Sequence, residues 1–359
     1  MVSAQPILDL RHFQLRENRL PQKIKRLLYL SWEDVLWDLL SKKKIPKGSY
    51  ILTPDFFCRD VEKNIRMHGY RLKNYKIGRD LTADKKDFEN KIDKFKPRVI
   101  IIFHPVGIKS NLTDAIPWLK KITGESILIE DSVHRVVDPT KVKIIKKDHF
   151  VIDSLRKVVP LQGASLYGRV KDLNFRPPPF HQSFIYSVRV NVLWFLMIIF
   201  WTFSNYSRGK LSKILAGIAE KLMLRGYDLI GDSASAARGG VPAEFLSRRI
   251  NINKIQNIKM HQVTRYESEL GKTLPVKLYI PDGNKKHLRG FPVILPTSHA
   301  LKTLRSLRKG GLLVRFELDD SLWSQKQKII YLPLGIQMGI RQQDEVCALT
   351  RAAILRAGA

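Results

Sequence analysis

Val99-Ile100-Ile101-Ile102-Phe103-His104-Pro105 decides the fold: five consecutive apolar, mostly β-branched residues stop abruptly at a histidine and a proline. A run that short and that uniformly apolar reads as a strand buried on both faces, which a parallel sheet covered by helices on each side requires. The same grammar recurs on either side of it. Tyr50-Ile51-Leu52-Thr53 ends at Pro54, Ile127-Leu128-Ile129 ends at Glu130-Asp131, and Phe150-Val151-Ile152 ends at Asp153-Ser154. Amphipathic, helix-like stretches separate these runs from residue 20 to about residue 170, the pattern of strands joined by crossover helices. Because α/β proteins bind ligands at the carboxyl ends of parallel strands, the polar residues that close each run are the candidates for chemistry.

Beyond this region, Arg176-Pro177-Pro178-Pro179 reads as a stiff extended connector. Residues 184–227 read as helical and unusually apolar. Their longest uncharged apolar run, Val192 to Phe203, is shorter than the roughly 20 residues that span hydrocarbon as a helix, which predicts a buried helix. The alternative is peripheral membrane contact through residues 192–213, suggested by Trp194, Trp201 and the basic residues Arg208, Lys210 and Lys213. After the small-residue stretch Ser233 to Gly240, a small α+β unit is predicted. It has a helix near 243–269, strands at Val276–Ile280 and Phe291–Leu295, a helix at 298–309, a strand at Leu312–Phe316 and a closing helix at 342–356. The expected organisation is an N-terminal extension (1–24), a large α/β domain with a mostly parallel sheet flanked by helices (25–230), and a small C-terminal α+β domain (231–359).

The 359 residues suffice for two domains with sizeable cores. Lys+Arg 63 against Asp+Glu 33 leaves a formal net charge of +30, which predicts an anionic partner such as a phosphate ester, a nucleic acid or an acidic membrane surface. The basic residues are spread along the whole chain, with neither an aromatic-rich RNA-binding signature nor a helix-turn-helix pattern, so specific nucleic-acid recognition is not expected. Two cysteines, Cys58 and Cys347, exclude a disulfide framework and a Cys-rich zinc site and suit a reducing, cytoplasmic setting. The histidines show no HExxH spacing, so no metal is expected. The first residues mix charges among apolar ones and lack the unbroken apolar core of a secretory signal.

Three strand ends carry candidate chemistry. Glu130-Asp131-Ser132-Val133-His134 puts an acid at the end of a buried strand, where it needs a positive or hydrogen-bonding partner; helix capping by Asp131 accounts for it equally well. Asp153-Ser154-Leu155-Arg156-Lys157 closes the next strand, one βα unit later. A desolvated lysine there has a lowered pKa and an amine free to form a Schiff base, although a solvated lysine is the ordinary expectation in so basic a chain. Ser31-Trp32-Glu33-Asp34 opens an amphipathic helix whose free amides and positive dipole end suit a phosphate; a plain serine N-cap is the alternative.

Taken in order, these segments resemble the DegT-type sugar aminotransferases, pyridoxal-phosphate enzymes of the aspartate-aminotransferase fold (fold type I). Leu30-Ser31-Trp32-Glu33 resembles the family's serine turn before its first long helix, Pro46 to Pro54 its next strand, and Asp55-Phe56-Phe57-Cys58 the segment that follows. His104-Pro105-Val106-Gly107, Glu130 to His134 and Ser154 to Lys157 resemble its histidine, acid and cofactor-lysine segments. Leu246 to Asn251, Phe291-Pro292-Val293 and Tyr331-Leu332-Pro333 are similar to less specific segments of the second unit.

The resemblance implies that Lys157 forms the Schiff base with pyridoxal 5'-phosphate and then moves the proton as general base and acid. It implies that Asp131 pairs with the pyridinium nitrogen, that His134 lies near the phenolic oxygen, and that Cys58 lies against the ring face. Ser31, Ser154 and the amides of Trp32 and Glu33 would hold the phosphate. The implied enzyme is a cytoplasmic transaminase of cell-envelope or polysaccharide sugar biosynthesis. It would act on a nucleotide-linked keto-sugar with an amino acid such as glutamate as donor, and form a homodimer. Three departures predict the alternative, a family member that has lost transamination and binds a partner or a membrane surface. Glu33 puts a carboxylate in the phosphate site, Leu161-Gln162-Gly163-Ala164 lacks the family's paired glycines, and Ser233 to Gly240 lacks its Asn and Arg pattern.

Overall fold

The computed structural model describes residues 2–3, 5–231 and 236–358. The apolar runs become the middle of a seven-stranded sheet. After a two-residue strand β1 (Val2–Ser3), the sheet strands are β2 (Ile24–Tyr29), β3 (Tyr50–Pro54), β4 (Arg71–Tyr75), β5 (Val99–Phe103), β6 (Ile127–Asp131), β7 (His149–Ile152) and β8 (Ala164–Arg169). Their order is β2-β8-β7-β6-β5-β3-β4. Strands β3 to β7 pair in parallel, whereas β8 is antiparallel to both β7 and β2 and so runs alone against the others. Helices α1 (Trp32–Lys42), α2 (Arg59–Met67), α3 (Lys85–Phe95) and α4 (Ile116–Thr123) supply the crossovers. Every residue of β5 is buried, as a central strand covered on both faces must be. Phe103 stands opposite Asp131, and Asp131 opposite Ile152, so the polar residues closing β5, β6 and β7 lie along one edge of the sheet.

The apolar segment forms a hairpin of two long helices, α5 (Phe184–Tyr206) and α6 (Gly209–Gly231). One side of α5, with Val190, Trp194, Met197 and Trp201, packs against Ala216, Ala219 and Met223 of α6. Near the turn, Ser204 Oγ donates to the Ser212 carbonyl at 2.9 Å, and Ser212 Oγ donates to the Ser204 carbonyl at 2.7 Å. Two expectations need correction here. The helical stretch expected over 184–227 divides into two helices at Ser207–Arg208, and although the uncharged run Val192 to Phe203 is short, the stretch from His181 to Tyr206 is long and apolar enough to cross a membrane by length and composition. Nor is it a buried helix: its other side is exposed, while Trp194 and Trp201 face the protein.

The rest of the chain comprises α7 (Val241–Ser247), α8 (Ile252–Leu270), α9 (Asp282–Lys285), β9 (Phe291–Pro296), α10 (Thr297–Lys309), β10 (Leu312–Leu313), β11 (Gln327–Leu332) and α11 (Ile340–Ala357). Strands β9 and β11 form an antiparallel ribbon, and β1 pairs in parallel with β10. The helix expected over 243–269 divides at Arg248–Asn251, where Asn251 caps α8 by accepting from the Lys254 amide. The strand expected at Val276–Ile280 does not form. Its residues alternate inward and outward, with Val276 and Leu278 against the core and Tyr279 exposed, but the segment lies between Pro275 and Pro281 and pairs with no strand. The strand expected at Leu312–Phe316 is shortened to β10, and only a single bridge from Phe316 to Ile330 continues it. The first three residues of the Ser233 to Gly240 stretch lie outside the described residues.

Candidate active site

At the carboxyl end of β6, Asp131 is buried and accepts one hydrogen bond, from the Val133 amide at 3.1 Å. Burial pushes its carboxyl up to about 7; the Val133 amide and the charge of Lys157 oppose this, and Glu33 adds to it. Lys157 ends a short 3-10 turn, Leu155–Lys157, directly after β7. Part of its stem remains accessible, but burial of the amine, followed by the charge of Arg289, lowers its pKa. Lys157 is close enough to Asp131, Cys58 and His134 to act on the charge of each, and Glu33 acts on Asp131 and Cys58. Lys157 thus shares one neighbourhood with three other sequence-predicted residues, Asp131, Cys58 and His134, and Glu33 joins it through Asp131 and Cys58.

His134 is fully enclosed between Phe103 and Tyr331, edge-on to both, with ring centroids 4.9 and 5.9 Å away. Tyr331 Oη lies 3.3 Å from Nδ1, and Glu317 Oε1 lies 3.2 Å from Nε2 but off the hydrogen-bonding direction. Burial, and then the charge of Lys157, bring this imidazole down to about 3, so it is neutral at physiological pH despite the nearby Glu317. The backbone around it is fixed by Gly107, whose φ of +99° and close approach admit no side chain: a Cβ would meet the His134 carbonyl oxygen at 2.5 Å. Just upstream, Glu130 accepts from His104 Nε2 at 2.8 Å and faces His149 Nε2 at 3.4 Å. Although burial alone would raise its carboxyl, these two imidazoles hold it well below the usual range.

Several residues of this neighbourhood escaped the sequence reading. Arg289 Nη1 donates to Glu317 Oε1 at 2.7 Å and its guanidinium lies over the Tyr331 ring. Lys259 on α8 fixes the arginine's backbone by donating to the Leu288 and Arg289 carbonyls at 2.8 and 3.1 Å. Arg156 stacks on Trp194 and Tyr227 of the helical hairpin at 4.7 and 4.8 Å. Burial alone would raise the Tyr227 phenol, but Arg156, Arg315, Lys157 and Arg289 bring it to about 8. Glu317 directly follows a run marked as a strand in the sequence, so extending the strand-end rule to the second unit finds it, whereas Arg289 precedes its run and the rule does not reach it.

The proposed phosphate end departs from expectation. Ser31 caps α1, but its hydroxyl is engaged: Oγ donates to Asp34 Oδ2 at 2.5 Å and accepts from the Asp34 amide at 3.1 Å. The other oxygen of Asp34 accepts from the Ala237 amide at 2.9 Å, so a carboxylate of the chain already occupies donors at this helix end. Trp32 is buried edge-on against Phe57. Ser154 lines a cavity of about 20 Å³ with Arg135, Tyr167 and Ser247, to which Ser31, Trp32 and Glu33 do not contribute. Cys58 sits at the start of α2, its thiol pushed up to about 12 by burial.

As a test of whether a polar cofactor suits this place, buried atoms without a hydrogen-bond partner among the described residues are informative. They include Trp32 Nε1, Glu33 Oε2, and Nε and Nη1 of Arg156. Buried donors and acceptors left this way in a native site call for an unrepresented polar group. In chemistry the Lys157 amine and the Asp131 carboxyl are groups that suit pyridoxal phosphate, and Arg156 Nε and Nη1 offer unpaired donors to an anion. Of the two serines expected at the phosphate, Ser31 has its hydroxyl committed to Asp34.

No protein-family pattern and no curated protein matches the sequence. Solved structures do. A putative sugar aminotransferase from Streptococcus pneumoniae, in its apo-form, superposes with a TM-score of 0.63 at 12% identity, covering 98% of this chain and 92% of that one. The aminotransferase TlmJ from Streptoalloteichus hindustanus gives 0.60 at 14% identity, over 94% and 87%. A DegT DnrJ EryC1 StrS aminotransferase from Brucella abortus gives 0.56 at 13%, over 91% and 85%. The chain therefore has the fold shared by these aminotransferases, as its sequence motifs predict.

Proposed function

We propose that the chain is a pyridoxal-phosphate-dependent aminotransferase acting on a sugar, with an amino acid as donor. What supports this reading is that Lys157 and Asp131 follow or end the neighbouring strands β7 and β6, near enough for the lysine's charge to act on the buried carboxyl, in the fold of the aminotransferases named above. When bound, the cofactor supplies a ring that draws electrons from the substrate carbon being deprotonated. Lys157, whose pKa is lowered by burial, would attach the cofactor through its amine and, once released, carry the proton between the two carbons on either side of the imine nitrogen. Asp131 keeps the ring nitrogen protonated once that cation satisfies its buried carboxyl. Neutral His134, held by Tyr331, offers a hydrogen bond at the ring's phenolic oxygen, and Arg156 offers one to the phosphate.

The finer parts of this reading are a nucleotide-linked keto-sugar as substrate, a homodimer, and an intracellular setting. The high positive charge supports a diphosphate-bearing substrate through steering, and two unpaired cysteines support the setting. One observation favours a second reading, a relative that has lost transamination: Asp34 and Glu33 bring carboxylates to the end of α1 where a phosphate would sit. One experiment separates them. Purified protein mixed with pyridoxal phosphate is expected to absorb visible light. Borohydride reduction should fix the cofactor on the peptide containing Lys157, and Lys157→Ala should abolish both. Wild type that stays colourless with no labelled peptide establishes the second reading.

A further inference from the structure

We propose that the bare side of the α5–α6 hairpin seats on an anionic lipid bilayer. Along α5, the exposed residues Ile185, Val188, Val192, Phe195, Leu196 and Phe203 fall within roughly 100° of arc at 3.6 residues per turn. They form one apolar stripe over most of a helix about 34 Å long at 1.5 Å per residue. The opposite side is buried and equally apolar, so this helix lacks the polar outer face that a water-facing helix carries. The stripe continues onto α6 through exposed Leu211, Ile214 and Ile218. The two helices meet in a shallow groove lined by Val188, Val192, Leu193 and Leu229, with Arg189, Arg225 and Asp228.

Charge identifies the occupant. Helix α5 contains no Asp or Glu, and the hairpin carries Arg189, Arg208, Lys210, Lys213, Lys221 and Arg225 against Glu220 and Asp228. Glu220 faces Arg308 at 3.6 Å. An apolar stripe bordered by cations matches the interface of a bilayer rich in anionic headgroups. A second copy of the chain fits poorly, because a two-fold contact through this face would bring two such cation-rich surfaces together with only Glu220 and Asp228 on each to oppose them. The hairpin lies on the surface rather than threading through it. Its inner side is committed to the protein by Arg156 over Trp194 and Tyr227, by Thr202 Oγ1 accepting from the Leu8 amide, and by a cluster that includes Leu30 and Ala237 of the body.

Full-length protein is to be centrifuged with phosphatidylcholine vesicles, with and without phosphatidylglycerol. Wild type is expected to bind the anionic vesicles about tenfold or more tightly than the neutral ones, less so as salt is raised. Phe195→Ser with Phe203→Ser should lose at least about tenfold toward both, and Lys210→Glu with Lys213→Glu should lose the anionic preference. These side chains are exposed, so far-ultraviolet circular dichroism should be unchanged. Equal, weak sedimentation of wild type with both vesicles overturns the proposal. So does a Phe195→Ser, Phe203→Ser protein that binds vesicles like wild type, or one whose only change is dissociation of a dimer seen by light scattering. None of these readouts involves the cofactor, so the proposal and the catalytic reading fail separately.

Discussion

Asp34 shows how one side chain can decide what a helix end does. Buried against Ser31 and the Ala237 amide, it takes the Ser31 hydroxyl that a phosphate would use, and burial pushes its carboxyl up to about 8. The unfolded chain releases this proton near pH 3.8. Between those values the folded state holds the extra proton, so this group's contribution to stability falls as pH rises, by at most roughly 1.4 kcal/mol per pH unit. Asn at this position can accept from the Ala237 amide through Oδ1 and reverse the other contact, its Nδ2 donating to Ser31 Oγ, without the charge. Asp34→Asn is therefore expected to match wild type near pH 4 and to be the more stable protein at pH 9, in urea denaturation at the two pH values. A stability difference independent of pH would show that the carboxyl is already ionised in the fold. The chemistry of this residue was hidden in the sequence, where Ser31 to Asp34 reads as a generic cap. Its partner Ala237 is about two hundred positions away.

At the level of elements, the central strands were legible because burial on both faces leaves nothing but apolar side chains: β5 has the same ends in the sequence and in the structure, and β7 gains only His149. Edge and reversed strands were not. Arg71-Leu72-Lys73-Asn74-Tyr75 is largely polar because β4 is covered on one edge only, and Ala164 to Arg169 shows no clean alternation. Val276 to Ile280 had the alternation but no edge to join, which no local pattern reveals. The hairpin offers a test of packing on its inner side. A Cβ at Gly226 would stand 3.0 Å from Trp194 Nε1, so Gly226→Leu forces the helices apart and is expected to cost about 1–3 kcal/mol. Denaturant midpoints would measure it. An unchanged midpoint would mean that Trp194 yields without loss.

For the whole molecule, a net charge of +30 is a standing self-repulsion. Raising salt from about 0.01 M to about 0.15 M shortens the screening length from roughly 30 to 8 Å, so the melting temperature should rise over that range in calorimetry. A flat response would mean that the chain's ion pairs already offset the excess. The candidate site was legible to the extent that it follows from strand ends within one sheet: Asp131, His134 and Lys157 are such residues. Arg289, Glu317 and Tyr331 come from a distant stretch of chain and meet them only through folding, as do the hairpin residues Trp194 and Tyr227.

The reversed strand β8 also governs assembly in time. Strand β2, synthesised before every other strand of its sheet, finds its sheet partner among the described residues in β8, with Ile24 opposite Arg169. An apolar edge must therefore wait, unpaired, while well over a hundred residues follow it out of the ribosome. The Val2–Ser3 strand waits longer still, for Leu312–Leu313. A nascent chain halted before residue 164 lacks the piece that closes the sheet, so the N-terminal half cannot be a finished folding unit.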